Sequence, residues 1–320
     1  SEFKGDASFV AYERDTYMIN VSCPRFGSGE AKGVIHQSVR GLDIYIICDV
    51  FNHLLTYKMY GQQVPMSPDD HYADLKRIIA AIGGKARRIT VVMPMLYEGR
   101  QHKRSGRESL DSATCLQELV GMGVDNIITF DAHDPRVQNA IPVHGFENVM
   151  PTYQMIKALV NSEPDIKLDK ENLMIISPDE GAMARGIYFS NVLGVDLGMF
   201  YKRRDYSVVI NGRNPIVAHE YLGADVSGKD LIIVDDMISS GDSVLDLAIK
   251  LKELNAKDIY VCTTFGLFCE GLKNFDDAYE KGYIKKVFTT NAICTTPELQ
   301  AREWYASVDL SKYIAYIVDT

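Results

Sequence analysis

The densest chemistry in this chain lies in Leu231-Ile232-Ile233-Val234-Asp235-Asp236-Met237-Ile238-Ser239-Ser240-Gly241-Asp242-Ser243. A β-branched apolar run ends in two adjacent acids. A loop of small, hydroxylic and glycine residues follows, and then an amphipathic run, Val244 to Leu251, with helical spacing. In an α/β protein this order builds an anion cradle at the carboxyl end of a strand. Backbone N–H groups and the helix N-terminus attract the anion, and small side chains let the backbone come close. The acids can hold sugar hydroxyls or a metal beside it, so the parts together fit a ribose 5-phosphate. The plain alternative is an ordinary strand-to-helix turn with a Ser or Asp cap.

Four other groupings have chemical content. Phe26-Gly27-Ser28-Gly29-Glu30 is a glycine-rich turn with one aromatic and one acid. Arg100-Gln101-His102-Lys103-Arg104 is a basic run. Asp131-Ala132-His133-Asp134 and Ser177-Pro178-Asp179-Glu180-Gly181 each follow an apolar stretch that reads as a strand. An imidazole and a carboxylate at such strand ends can share a hard divalent cation that also holds phosphate oxygens. Taken singly, His133 as a core or capping histidine and Asp179 as a helix N-cap are at least as plausible. From Phe200 to Tyr221 the texture changes: Lys202-Arg203-Arg204 is followed by Asn211-Gly212 and Asn214-Pro215, which mark turns. A basic cluster beside a hairpin-like loop suits a flap over an anion, or simply a solvated charged loop.

The elements that must position these groups alternate along the chain. Strands are read at 43–48, 88–93, 126–130, 173–176, 231–234, 258–263 and 286–289, and helices at 72–82, 109–121, 153–160, 181–193 and 244–254. That rhythm predicts an α/β fold with parallel sheets and ligands at the strand carboxyl ends. The cadence repeats, so a boundary is placed near residues 149–151, giving domains 1–150 and 151–320. The 320 residues are 46% hydrophobic and carry a net charge of −9, which suits a well-cored protein and argues against non-specific nucleic-acid binding. No signal peptide or membrane-spanning run is read, and the initial Ser suggests a processed start. The six cysteines form no C-x-x-C pair, so they are read as reduced thiols in a cytoplasmic enzyme and not as zinc ligands.

In order along the chain, these groupings strongly resemble the ribose-phosphate pyrophosphokinases, also called phosphoribosyl pyrophosphate synthetases. Phe26 to Glu30 is similar to the family's F-S-x-G-E, and Ser38-Val39-Arg40-Gly41 with Asp43 to S-V-R-G-x-D. Arg100-Gln101 with Arg107-Glu108 resembles R-Q-D-R-K followed by R-E-P-I, and Asp131-Ala132-His133 resembles D-L-H. Ser177-Pro178-Asp179 with Gly181 and Arg185 resembles S-P-D-x-G-G-x-x-R, Lys202 to Arg204 the K-R-R flap, Asp235 to Ser243 the D-D-M-I-D-T-G-G-T loop, and Thr264 to Phe268 T-H-G-L-F. A collinear set of this kind is far more specific than any one motif. The departures are His102 for Asp, Tyr201 for Asp before the flap basics, Ala182 for Gly, Asp242 for Gly, a longer stretch at 53–70, and a first 25 residues without the usual glycine-led strand and helix.

The resemblance implies two tandem type I phosphoribosyltransferase-like domains. The implied enzyme of nucleotide biosynthesis moves pyrophosphate from Mg-ATP to ribose 5-phosphate. It also implies roles: Mg²⁺ on His133 and Asp179; Lys202 and Arg204 over the β-phosphate; Arg100 and Gln101 on ATP. Asp235 and Asp236 would hold the ribose hydroxyls, and Ser239, Ser240, Gly241, Asp242 and Ser243 the 5-phosphate. Phe26, Ser28 and Glu30 would reach the adenine of a neighbouring subunit, which implies a dimer-based homo-oligomer. A phosphoribosyltransferase, or a non-catalytic regulatory homologue, remains as the alternative.

Overall fold

The structure is a computed structural model that describes residues 16–204 and 216–319. Side chains of 202–219 lie outside the description, as do the turn residues Asn211-Gly212 and Asn214-Pro215 of the flap-like loop. Contacts group the chain into two compact units, the first comprising 1–150, 292–294 and 309–320, the second 151–291 and 295–308.

The first unit opens with a short antiparallel pair, β1 (Val21–Ser22) and β2 (Val34–Ile35). Then come β3 (Asp43–Ile47), the hairpin β4 (Thr56–Met59) and β5 (Gln62–Pro65), and α1 (Pro68–Ile82). They are followed by β6 (Arg88–Val92), α2 (Asp111–Gly121), β7 (Asn126–Phe130), a 3-10 turn at Pro135–Ala140 and β8 (Gly145–Val149). Strands β3, β6, β7 and β8 form an all-parallel sheet in that order. Helix α1 begins four residues earlier than its apolar spacing suggests. Ser67 and Asp70 form a reciprocal capping box, and Pro68 occupies the first turn, where a missing N–H costs nothing. Its Tyr72, Leu75, Ile79 and Ile82 join Val91, Leu116, Leu119 and Ile127 in the core, each such side chain contributing about 1.5–3 kcal/mol.

The second unit holds α3 (Thr152–Ser162), β9 (Leu173–Ser177), α4 (Met183–Leu193), β10 (Asp196–Arg204) and β11 (Ile216–Leu222). It continues through β12 (Asp230–Ile238), α5 (Asp242–Glu253), β13 (Ile259–Gly266), α6 (Lys273–Glu280), β14 (Lys286–Thr290), α7 (Pro297–Gln300) and β15 (Tyr305–Val308). Its sheet runs β11-β10-β9-β12-β13-β14-β15, parallel throughout except for the edge strand β11. The continuous apolar runs of β9, β12 and β13 are buried on both faces, as helix-covered parallel strands require. The chain then returns to the first unit with α8 (Ser311–Asp319), whose Tyr313 meets Phe130 edge-on at 6.1 Å. Two separate, mainly parallel sheets match the expected fold class. No helix among the described residues is long and apolar enough to cross a membrane.

Candidate active site

In the second unit the chemical residues stand where β9 and β12 end. Strand β12 runs on through both acids to Ile238, because Asp235, Met237 and Ile238 continue to pair with Thr263, Phe265 and Gly266 of β13. Asp235 and Asp236 are therefore strand residues of β12 and not part of the loop that follows it. Asp236 is buried, its Oδ2 4.0 Å from the buried Arg185 guanidinium of α4. Asp235 accepts a hydrogen bond from the Asp236 N–H at 2.9 Å. Burial, and then the Asp236 carboxylate beside it, push the Asp235 carboxyl well above the ordinary value.

A raised folded pKa means the folded state holds a proton that the unfolded state has released. The stability this gives is complete below about pH 4 and is lost as pH rises towards the folded pKa. Asp235→Asn is therefore expected to raise the melting temperature, by more at pH 8 than at pH 5. Thermal melts across that range check it, and an advantage that shrinks with rising pH would contradict the assignment.

Beyond the strand, Gly241 is the N-cap of α5 at φ +93°, with no side-chain cap bond. A β-carbon there would overlap the Phe275 ring, lying 2.6 Å from Cζ and closer still to Cε2. Phe275 belongs to an aromatic cluster with Phe268, at 5.1 Å, and Trp304, at 5.4 Å, and the Trp304 indole donates to Asp276 at 2.7 Å. The loop is thus backed by a rigid apolar wall that admits only glycine. Asp242, the residue that departs from the family loop, is not a cap. It is the first helical residue of α5 and is exposed, where its charge complements the helix dipole. Ser239 lies against the neighbouring turn, its Oγ 3.8 Å from Cys269 Sγ. Asp179, past the end of β9, accepts from the N–H groups of Gly181 and Ala182 at 2.9 and 3.3 Å, so its Oδ1 closes the turn into α4.

In the first unit, Asp131 follows β7 at φ +41°, buried, with its N–H on the Val149 carbonyl. The Ala132 N–H donates to Asn148 Oδ1 at 2.8 Å. This strained, pinned corner presents His133, which is exposed. The His102 ring meets His133 edge-on at 5.4 Å, and its Nδ1 lies 3.0 Å from Asp134 Oδ2. Burial pushes the His102 imidazole down against the pull of Asp134, and the Arg136 side chain holds the Asp134 carboxyl well below the usual range. This pairing went unread in the sequence, where His102 figured as part of the 100–104 basic run and as a departure from the family motif.

Arg100 is exposed after a turn in which Glu98 has φ +52°. The Gln101 amide donates to the Ser109 and Lys103 carbonyls at 2.9 and 3.3 Å, so that side chain holds its own loop together. The 26–30 turn is closed by the Phe26 N–H on the Glu30 carbonyl at 2.7 Å, and the Ser28 hydroxyl donates to Glu30 Oε2 at 2.7 Å. Lys202 and Arg204 lie near the end of β10, where the pairing with β11 shifts register between Arg203 and Arg204. Cys48 and Cys115 are thiols pushed up to about 12 by burial, which makes them poor nucleophiles near neutral pH.

Two family models match the chain. The N-terminal domain of ribose phosphate pyrophosphokinase matches residues 6–123, and a phosphoribosyl transferase domain matches residues 152–302. This chain belongs to the ribose-phosphate pyrophosphokinase family. A ribose-phosphate pyrophosphokinase of Vibrio parahaemolyticus is 28% identical over 300 residues, covering 92% of this chain and 86% of the relative. One from Buchnera aphidicola is 29% identical over 267 residues, covering 82% and 76%. The crystal structure of phosphoribosylpyrophosphate synthetase from Mycobacterium smegmatis aligns with a TM-score of 0.79 at 22% identity, over 95% of this chain and 91% of the other. That pyrophosphokinase-family structure shares the fold, and the family's two-domain plan spans nearly the whole chain.

Proposed function

We propose that this protein is an ATP:ribose 5-phosphate pyrophosphotransferase. It moves the pyrophosphoryl group of Mg-ATP to the anomeric hydroxyl of ribose 5-phosphate, giving phosphoribosyl pyrophosphate and AMP. The observation that carries this reading is the match of both family domains, over residues 6–123 and 152–302, joined to the 235–243 loop. There, two strand-end acids precede a left-handed glycine cap and the exposed start of a three-turn helix. Its N–H groups suit the 5-phosphate, with Ser239, Ser240, Gly241, Asp242 and Ser243 forming the cradle and Asp235 and Asp236 addressing the ribose hydroxyls.

The transfer is chiefly a problem of charge, so positioning and neutralisation supply the rate. Lys202 and Arg204 serve to stabilise charge on the β-phosphate, Arg100 and Gln101 to orient ATP. Phe26, Ser28 and Glu30 serve a neighbouring subunit's adenine in a dimer-based homo-oligomer. Among the described residues no group of three or more His, Cys, Asp or Glu side chains could cage a metal. That suits Mg²⁺, which typically keeps its waters and takes one or two protein ligands besides the substrate's phosphates. His133 and Asp179 would be those ligands, and the ion would neutralise charge on the triphosphate. Six free thiols support a cytoplasmic setting.

The direct test is AMP release from ATP, with and without ribose 5-phosphate. AMP formed only with the sugar phosphate supports the assignment. Consumption of phosphoribosyl pyrophosphate with a free base would indicate a phosphoribosyltransferase, and nucleotide binding without turnover a regulatory homologue. For the metal, His133→Ala and Asp179→Asn are each expected to shift half-maximal activity to roughly tenfold higher magnesium or beyond, since losing even an outer-shell partner of a metal costs about that much. Unchanged magnesium titrations in both would remove them from the metal shell.

A further inference from the structure

The β4–β5 hairpin, within the stretch that is long for the family, leans on the 26–30 turn. The Tyr60 N–H at its tip donates to the Gly27 carbonyl at 2.9 Å. Met59 packs so close to Gly29, itself at φ +96°, that a β-carbon there would stand 2.8 Å from Sδ. At the base of the hairpin the Arg25 guanidinium lies 4.8 Å above the Tyr57 ring and forms a bidentate pair with Asp74 of α1, at 2.6 and 2.9 Å. The Tyr57 hydroxyl reaches Asp70, the acid of the α1 capping box, at 3.2 Å. The turn is thus tied through the hairpin to the body of the first unit.

The tip itself is a poor choice for folding alone. Tyr60 and Gly61 form a two-residue connection with φ of +47° and +81°, the pattern of a type I′ turn. Asn-Gly is the favoured sequence there, and a tyrosine in the left-handed region is strained. Its side chain is 82% exposed, so burial gives nothing in return, and the turn beside it carries Phe26, 55% exposed. A strained, exposed aromatic fixed beside a candidate binding turn points to a ligand.

We propose that the β4–β5 hairpin positions the Phe26–Glu30 turn and that Tyr60 adds a second aromatic face for the purine base of the nucleotide. The inference rests on the nucleotide role given to that turn above. Steady-state kinetics on the intact oligomer test it with Tyr60→Asn, Tyr60→Phe and Phe26→Ala. Tyr60→Asn is expected to hold or raise the melting temperature, since Asn-Gly suits the turn. It should raise KM for ATP about tenfold, or ~1.4 kcal/mol, the low end for stacking a base on an aromatic ring. kcat and the KM for ribose 5-phosphate should stay within about twofold, and Tyr60→Phe should restore the ATP value.

An unchanged KM for ATP in Tyr60→Asn, with a raised one in Phe26→Ala, overturns the role given to Tyr60 and leaves the turn's role standing. If neither variant changes it, the nucleotide reading of the turn fails and this inference with it. A rise in KM that tracks loss of the oligomer by light scattering also overturns it, because Tyr60 would then be an interface residue.

Discussion

Alanine at Lys202 or at Arg204 is expected to lower kcat by about 10²-fold or more while leaving KM for both substrates within a few-fold. Removing a donor aimed at charge that develops in the transition state costs turnover, because the ground state makes little use of it. Both residues match the family's K-R-R motif, and their backbone forms the last part of β10, next to a register shift of the kind often found beside functional sites. Lys202→Arg and Arg204→Lys are not expected to rescue fully, since a compact ammonium and a planar fork place their donors differently. Steady-state kinetics under saturating ATP and ribose 5-phosphate decide the matter. Wild-type turnover in both alanine variants would remove them from catalysis.

Gly241→Ala is the second change with a large expected effect. Alanine brings a left-handed φ that costs about 1–2 kcal/mol and an overlap with Phe275 that costs about 1–3 kcal/mol. The sum, about 2–5 kcal/mol, should lower the melting temperature by about 4 °C or more. Relief requires the loop to move off the aromatic wall, so KM for ribose 5-phosphate should rise as well. Phe275→Leu in the same chain opens space at the ring and should recover part of both losses. An alanine variant that melts like the wild type would show that the loop tolerates a side chain, and the glycine would then need another explanation.

The sheet strands were the most legible part of the sequence. Asn126–Phe130 is read and found with the same ends, because an apolar β-branched run in a buried parallel strand leaves little choice. Strand β12 shows the limit of that reading. Two acids ended the pattern at Val234, yet pairing with β13 carries the strand to Ile238, since ladder hydrogen bonds continue whatever the side chains are. That difference changes the surroundings of Asp235 and Asp236, and hence the acidity of Asp235.

The β4–β5 hairpin was missed because Tyr-Gly is a rare turn pair, and its tie to Gly27 is invisible along the chain. In the candidate site the residue types were legible but not their bonds. Nothing local to Gln101 says that its amide closes the 103–109 loop, and nothing local to His102 says that it meets Asp134. Gly241 was read as a small loop residue, while the ring that demands a glycine lies on a different helix, 34 positions away in the numbering from Gly241 to Phe275.

The return of the chain to its first unit has a consequence for biosynthesis. Phe130 lacks Tyr313, and Asp49 lacks the Cys294 N–H that it accepts at 2.6 Å, until those residues leave the ribosome. At the usual ~5–20 residues per second, the N-terminal half emerges on the order of ten seconds before its final helix exists. During that interval the Phe130 ring and the Asp49 carboxylate are without those two partners. The second unit, made almost without interruption, can close while the first still waits.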